Sequence, residues 1–132
     1  MNIKKYILTS LLIFLIMLLW NFIVHGVILV IESEAIKSLF RSDMNDLLWL
    51  SFTIALLISF IFVFGYTRLI TRRSLLGGLI YGFVFGVTAA VLVDVNQYIL
   101  YPLPSSIVIK WSLFGVAEYS VYGLIVAGIM KK

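Results

Sequence analysis

A bundle of four transmembrane helices is the all-α fold this sequence predicts, and three observations predict it. Hydrophobic residues make up 63% of the 132-residue chain and charged residues only 12%, against roughly 45–50% and about 25% in soluble domains. The apolar residues fall into four long stretches, each near the roughly 20 residues a helix needs to cross hydrocarbon. The charges collect at the ends of those stretches, where orientation signals sit. The core is then shaped by helix packing in lipid rather than by burial from water. With so little sequence between the stretches, residues 1–132 are expected to form a single integral membrane domain.

The first span is read over about residues 6–31. Lys4 and Lys5 precede it, and only Thr9, Ser10, Asn21 and His25 interrupt its apolar run. A signal-peptide h-region has about 7–15 residues and ends at a small-residue cleavage site. This run is longer and lacks an A-x-A-like site, so it is read as retained. A helix of this length reaches about 39 Å, whereas the hydrocarbon core is about 30 Å thick. A tilt, a protrusion or a bend near Gly26 is expected. Next, Ile36, Leu39, Phe40, Met44, Leu47 and Leu48 recur at three- and four-residue steps. That period predicts a short amphipathic helix over about 34–46, lying in the headgroup region between spans one and two. Ser42 or Asp43 offers a side-chain oxygen to cap the helix that follows.

The second span is read over about 47–66, with Trp49 and Tyr66 at its interfaces. Ser51, Thr53 and Ser59 can bond back to their own helix. Arg68, Arg72 and Arg73 fill a short loop, and the third span runs over about 75–94. Pro102 and Pro104 lack an N–H and hold φ fixed, which predicts a turn over 96–106. The fourth span covers about 111–130, entered at Lys110 and Trp111 and followed by Lys131 and Lys132. Seven basic residues (Lys4, Lys5, Arg68, Arg72, Arg73, Lys131, Lys132) fall on one side and three (Lys37, Arg41, Lys110) on the other. That asymmetry predicts cytoplasmic N- and C-termini in the inner or plasma membrane.

Several function classes are disfavoured. The formal charge of +4 is not clustered as nucleic-acid binding requires, and the absence of cysteine removes disulfides and thiolate chemistry. No phosphate-cradling glycine loop, HExxH or nucleophile-elbow pattern occurs. No catalytic residue and no cofactor is expected. Membrane lipid is the expected partner, and a homo-oligomer or a larger membrane complex stays open.

One carboxylate, Glu118, sits inside the fourth span, where a charge costs several kcal/mol or more unless partnered, protonated or wetted. Counted from Trp111 it lies seven residues in, or about 10 Å. Tyr122 follows four residues later on the same face, and Gly115 leaves room beside the carboxyl. Asn21 and His25 share a face of the first span, and Asp94 closes the third. Spans one, three and four are therefore expected to enclose an outer-half polar pocket. Glu118, His25 and Asn21 would line it, with Asp94 and Tyr122 beside them, and it would bind or transport a small solute or ion. The alternative is a structural or accessory subunit in which Glu118 ties helices together. A lone His without Cys or a second His is poor metal chemistry, so no metal is expected.

Gly78, Gly82, Gly86 and Ala90 step by four along the third span, and Gly115, Gly123 and Ala127 mark the fourth. Small residues at this spacing let helix backbones approach closely. Each step of four drifts about 40°, so the ridge slants and Asp94 is expected off the face of Gly78. The ridge suits packing within the bundle or in a homodimer.

The pieces WNFIVHG, LFRSDM, YPLPSS and W-x3-G-x2-E together resemble a family of small four-span prokaryotic membrane proteins. That resemblance implies the fold and the importance of His25 and Glu118, and it implies no activity. The small multidrug transporters are similar in length and span number, but their essential Glu lies in the first span, where this chain has Asn21 and His25. Four-span glutathione-handling enzymes are another size match, yet no arginine lies within these spans to hold an anionic thiol cofactor.

Overall fold

The computed structural model describes residues 2–130 and contains no strand among them. Four helical runs, Ile3–Ile28, Met44–Leu69, Leu75–Leu100 and Ser105–Met130, are long and apolar enough to cross a membrane. The all-α, four-helix class is thus what the chain adopts, and it is a multi-pass membrane protein. Leu15, Phe22, Trp49, Leu57, Phe83, Leu92 and Leu113 are among many large apolar side chains left exposed, as expected where the surrounding solvent is lipid. Lys131 and Lys132, used above for orientation, lie outside the described residues.

The chain divides into two compact units, residues 1–64 and 65–132. In the first, α1 (Ile3–Ile23) starts at Asn2, whose side chain accepts the Lys5 N–H at 3.1 Å. Thr9 and Ser10 donate to the carbonyls of Lys5 and Tyr6 at 2.8 and 2.9 Å, so their hydroxyls do not stand unpaired in an apolar run. The irregularity expected near Gly26 is a π-helical turn, Val24–Ile28, closed by the Leu29 N–H on the Val24 carbonyl at 2.7 Å. The long helix α3 (Leu48–Leu69) returns in this unit to Tyr6. The Tyr6 hydroxyl donates to the Phe60 carbonyl at 3.1 Å, and the two rings meet edge to face at 5.6 Å.

Between them the single amphipathic helix expected over 34–46 does not form. A short α2 (Val30–Ala35) is followed by one 3-10 turn at Lys37–Leu39, an extended Phe40 and a second 3-10 turn at Met44–Leu47. One local interaction accompanies the break. The Arg41 guanidinium donates twice to the Asp43 carboxylate, at 2.6 and 2.9 Å. Residues two apart do not face each other on a helix, so this pair forms only where the helix is broken. It also occupies both oxygens of Asp43, which makes no cap. The Arg41 hydrogen bonds hold the Asp43 carboxyl below its usual value.

In the second unit α4 (Leu75–Ala89) begins at Ser74, whose Oγ accepts the Gly77 N–H at 3.0 Å. It runs through a π-helical turn, Ala90–Val95, into α5 (Asn96–Leu100). The turn expected over 96–106 is therefore shorter. After Tyr101–Pro104 the chain enters α6 (Ser105–Met130), since proline is tolerated where a helix needs no N–H. The Pro104 carbonyl accepts the Ile107 N–H at 3.1 Å. Lys110 and Trp111 sit inside this helix rather than at its mouth.

Helices α4 and α6 pack antiparallel along the glycine ridge. A Cβ built on Gly78 would lie 2.3 Å from the Gly123 carbonyl oxygen, and one on Gly82 would lie 2.1 Å from that of Tyr119. One on Gly86 would lie 2.8 Å from the Val116 Cα, and one on Gly123 would lie 2.0 Å from the Gly78 oxygen. Backbone meets backbone here, so any side chain would force the helices apart. Gly115 differs: a Cβ there meets nothing within 4 Å, so its own lack of a side chain is not what admits α4.

Candidate functional site

Helix α6 begins earlier than the span read from Trp111, which changes where Glu118 falls along the helix. Counted from Ser105 it is thirteen residues in, near the midpoint of the 26-residue helix, or about 20 Å from the helix start. Tyr122, one turn on, is fully buried and donates its hydroxyl to Glu118 Oε1 at 2.5 Å. Among the described residues no other hydrogen bond reaches this carboxyl. The bond lies within one helix, so it orients the carboxyl without tying α6 to a neighbour.

Asp94 joins α6 as well. Its Oδ2 accepts a hydrogen bond from Ser112 Oγ at 3.1 Å. An uninterrupted α-helix would have carried it off the glycine face, as the steps of four drift forward. The π-helical turn carries an extra residue per hydrogen-bonded turn, so each residue rotates less and the drift is reversed. Asp94 therefore reaches the helix that Gly78, Gly82 and Gly86 already contact.

Tyr119 is within electrostatic range of both Glu118 and Asp94. Its ring is part of a row in which Tyr66 meets Tyr81 at 5.6 Å, Tyr81 meets Phe85 at 6.2 Å, Phe85 meets Tyr119 at 4.9 Å and Tyr119 meets Tyr122 at 5.6 Å. Tyr119, Ser112 and the ring row were missed by the sequence reading. The available signal was Tyr81 and Phe85 four apart on α4, facing Tyr119 and Tyr122 three apart on α6. Tyr66 is fully buried, and its hydroxyl has no hydrogen-bond partner among the described residues.

His25 and Asn21 belong to the first unit, and both are exposed. The Asn21 side-chain amide donates to the Met17 carbonyl at 2.9 Å, within its own helix. His25 stands in the π-helical turn, a feature often found at functional sites, and Asp94 stands in the other one. No group of three or more His, Cys, Asp or Glu among the described residues is placed to hold a metal ion.

Chemically, the second unit offers one carboxyl at mid-helix depth, positioned by a phenol, and a second carboxyl held by a serine on the same helix. Such groups attract cations, protons and hydrogen-bond donors and repel anions. No protein-family model, curated protein or solved structure matches the chain.

Proposed function

We propose that this chain binds, and moves across its membrane, a small cation or hydrogen-bond-donating solute at the polar group around Glu118. The observation that carries the reading is the carboxyl itself: midway along an apolar helix, oriented by Tyr122, with no second protein partner among the described residues. A buried acid retained only as structural glue would bridge two helices, whereas this one bonds within its own. Intramembrane ionisable groups that line no structural pair mark solute or ion paths. Asp94 and Tyr119 supply further polar surface beside it, and His25 and Asn21 are not needed for the proposal. The expected setting is the inner or plasma membrane with both termini cytoplasmic, on the basic-residue asymmetry.

The test is flux through the full-length protein in liposomes holding a pH-sensitive dye, under sodium, potassium or small-amine gradients. Wild type should move protons or the imposed solute, and Glu118→Gln should abolish this while retaining its helical content and elution volume. Equal flux in the two proteins would sink the proposal. In the accessory-subunit reading Glu118→Gln is silent. The glycine ridge joins α4 to α6 of the same chain, which is compatible with either reading.

A further inference from the structure

The bond to Ser112 uses only part of what Asp94 offers. Oδ2 accepts that hydrogen bond, whereas Oδ1 has none among the described residues and is not sealed in the interior. The carboxyl is half-buried and takes part in no ion pair among the described residues. Lys110, the one basic residue between Arg73 and Lys131 in the sequence, is not paired with it. Joining the two helices needs no charge here. An asparagine would accept the same Ser112 hydrogen bond without the cost of a carboxylate inside an apolar segment.

Depth supplies a reason for the charge. Ser112 lies seven residues from the start of α6, about 10 Å, and Asp94 lies six residues from Leu100, at the same end of the helix pair. Glu118 lies six residues beyond Ser112, about 9 Å further in. The two carboxyls are thus successive steps from one end, and Tyr119 is within electrostatic range of both. The first step falls in the π-helical turn Ala90–Val95, irregular backbone of the kind found at functional sites. A lone carboxyl at Glu118 would be separated from that end by about 20 Å of apolar helix, and chains of acidic groups are how cations and protons are passed inward. We propose that Asp94 is the entrance station of the Glu118 site, drawing small cations in from the end closed by residues 101–104. The inference rests on the Glu118 reading for its destination only.

The chain has no cysteine, so Ser112→Cys gives a single thiol beside Asp94. The full-length variant in mixed micelles is treated with a cationic trimethylammonium and an anionic sulfonate methanethiosulfonate. Each rate is divided by that of the same reagent with a free thiol in solution. The cationic reagent should then react about tenfold faster, because a charge about 6 Å from a carboxylate in wet surroundings is attracted in one reagent and repelled in the other. Adding Asp94→Asn should bring the two rates together, and adding Glu118→Gln should leave the difference in place. Leu113→Cys, at the exposed apolar neighbour, should react with neither. No reaction at Ser112→Cys, equal rates with the two reagents, or equal reaction at Leu113→Cys would each overturn the entrance. In the unsubstituted chain a water-soluble cationic carbodiimide should modify Asp94. An unmodified Asp94 alongside modified Glu34 and Asp46, which are exposed, would overturn it as well. Flux that ignores Glu118→Gln would sink the earlier reading and leave the labelling preference standing. Loss of the preference with flux still dependent on Glu118 would sink the entrance alone.

Discussion

Replacing Gly82 with alanine places a methyl group where there is no room for one. Its Cβ would lie 2.1 Å from the Tyr119 carbonyl oxygen, 2.8 Å from the Tyr119 carbonyl carbon and 2.9 Å from the Ser120 Cα. All three are backbone atoms, so no rotamer change relieves the clash. Ordinary contact begins at 3.4 Å, and the helices must part by about 1.3 Å at this level. A gap of roughly 0.5–1 Å already forfeits a quarter to a half of the dispersion attraction between facing atoms. The parting would therefore also weaken the neighbouring contacts at Gly78 and Gly86. Overpacking of this kind costs about 1–3 kcal/mol, and the rigid backbone target puts Gly82→Ala near 3. Alanine's better helix propensity returns up to about 1 kcal/mol, for a net loss of about 2 kcal/mol. Gly115→Ala is the control, since its methyl meets nothing within 4 Å; it should be neutral or stabilising by up to about 1 kcal/mol. Reversible unfolding in mixed micelles measures both. If Gly82→Ala matched Gly115→Ala in stability, the close α4–α6 seam would be refuted.

Tyr122→Phe removes the hydroxyl that orients Glu118. Hydrogen bonds to charged groups are worth about 1.5–3 kcal/mol, so flux or ligand affinity should fall about tenfold or more, and the loss of stability in the micelle assay should be no larger than that figure. Tyr66→Phe deletes a buried hydroxyl that has no partner among the described residues; it should stabilise the chain by about 1 kcal/mol in the same micelle assay, and destabilisation would contradict the assigned burial. In the loop, the Arg41 hydrogen bonds lower the folded-state value of Asp43. The pair's contribution is then present above Asp43's unfolded value and is lost as pH falls through the lower folded value. Carboxyl NMR titration should follow that fall, and Arg41→Gln should return Asp43 to the ordinary range.

The spans were legible because about 20 consecutive apolar residues leave few alternatives, and four runs of this kind are what the chain forms. The steps Gly78, Gly82, Gly86 were equally plain, although only coordinates could assign the ridge to α6 of the same chain. Three features were not legible. The loop period at Ile36, Leu39, Phe40 and Met44 pointed to a helix, whereas the chain breaks after Ala35 into short turns, and the Arg41–Asp43 pair found there is an interaction that periodicity does not register. Pro102 and Pro104 predict a turn over the eleven residues 96–106, yet a proline just before a helix starts one, so α6 begins at Ser105 and Glu118 falls at mid-helix. The π-helical turns at Val24–Ile28 and Ala90–Val95 carry no composition signal, and the second redirects Asp94 onto Ser112.

The most direct measurement is the rate at which a hydrophobic carbodiimide labels Glu118 in the purified full-length protein, read by peptide mass spectrometry. A carboxyl that receives a solute should be labelled, and sodium, potassium or a small amine should slow labelling at this one position. Labelling that no solute slows, or a Glu118 that never reacts in protein still folded, would contradict a binding role for that side chain.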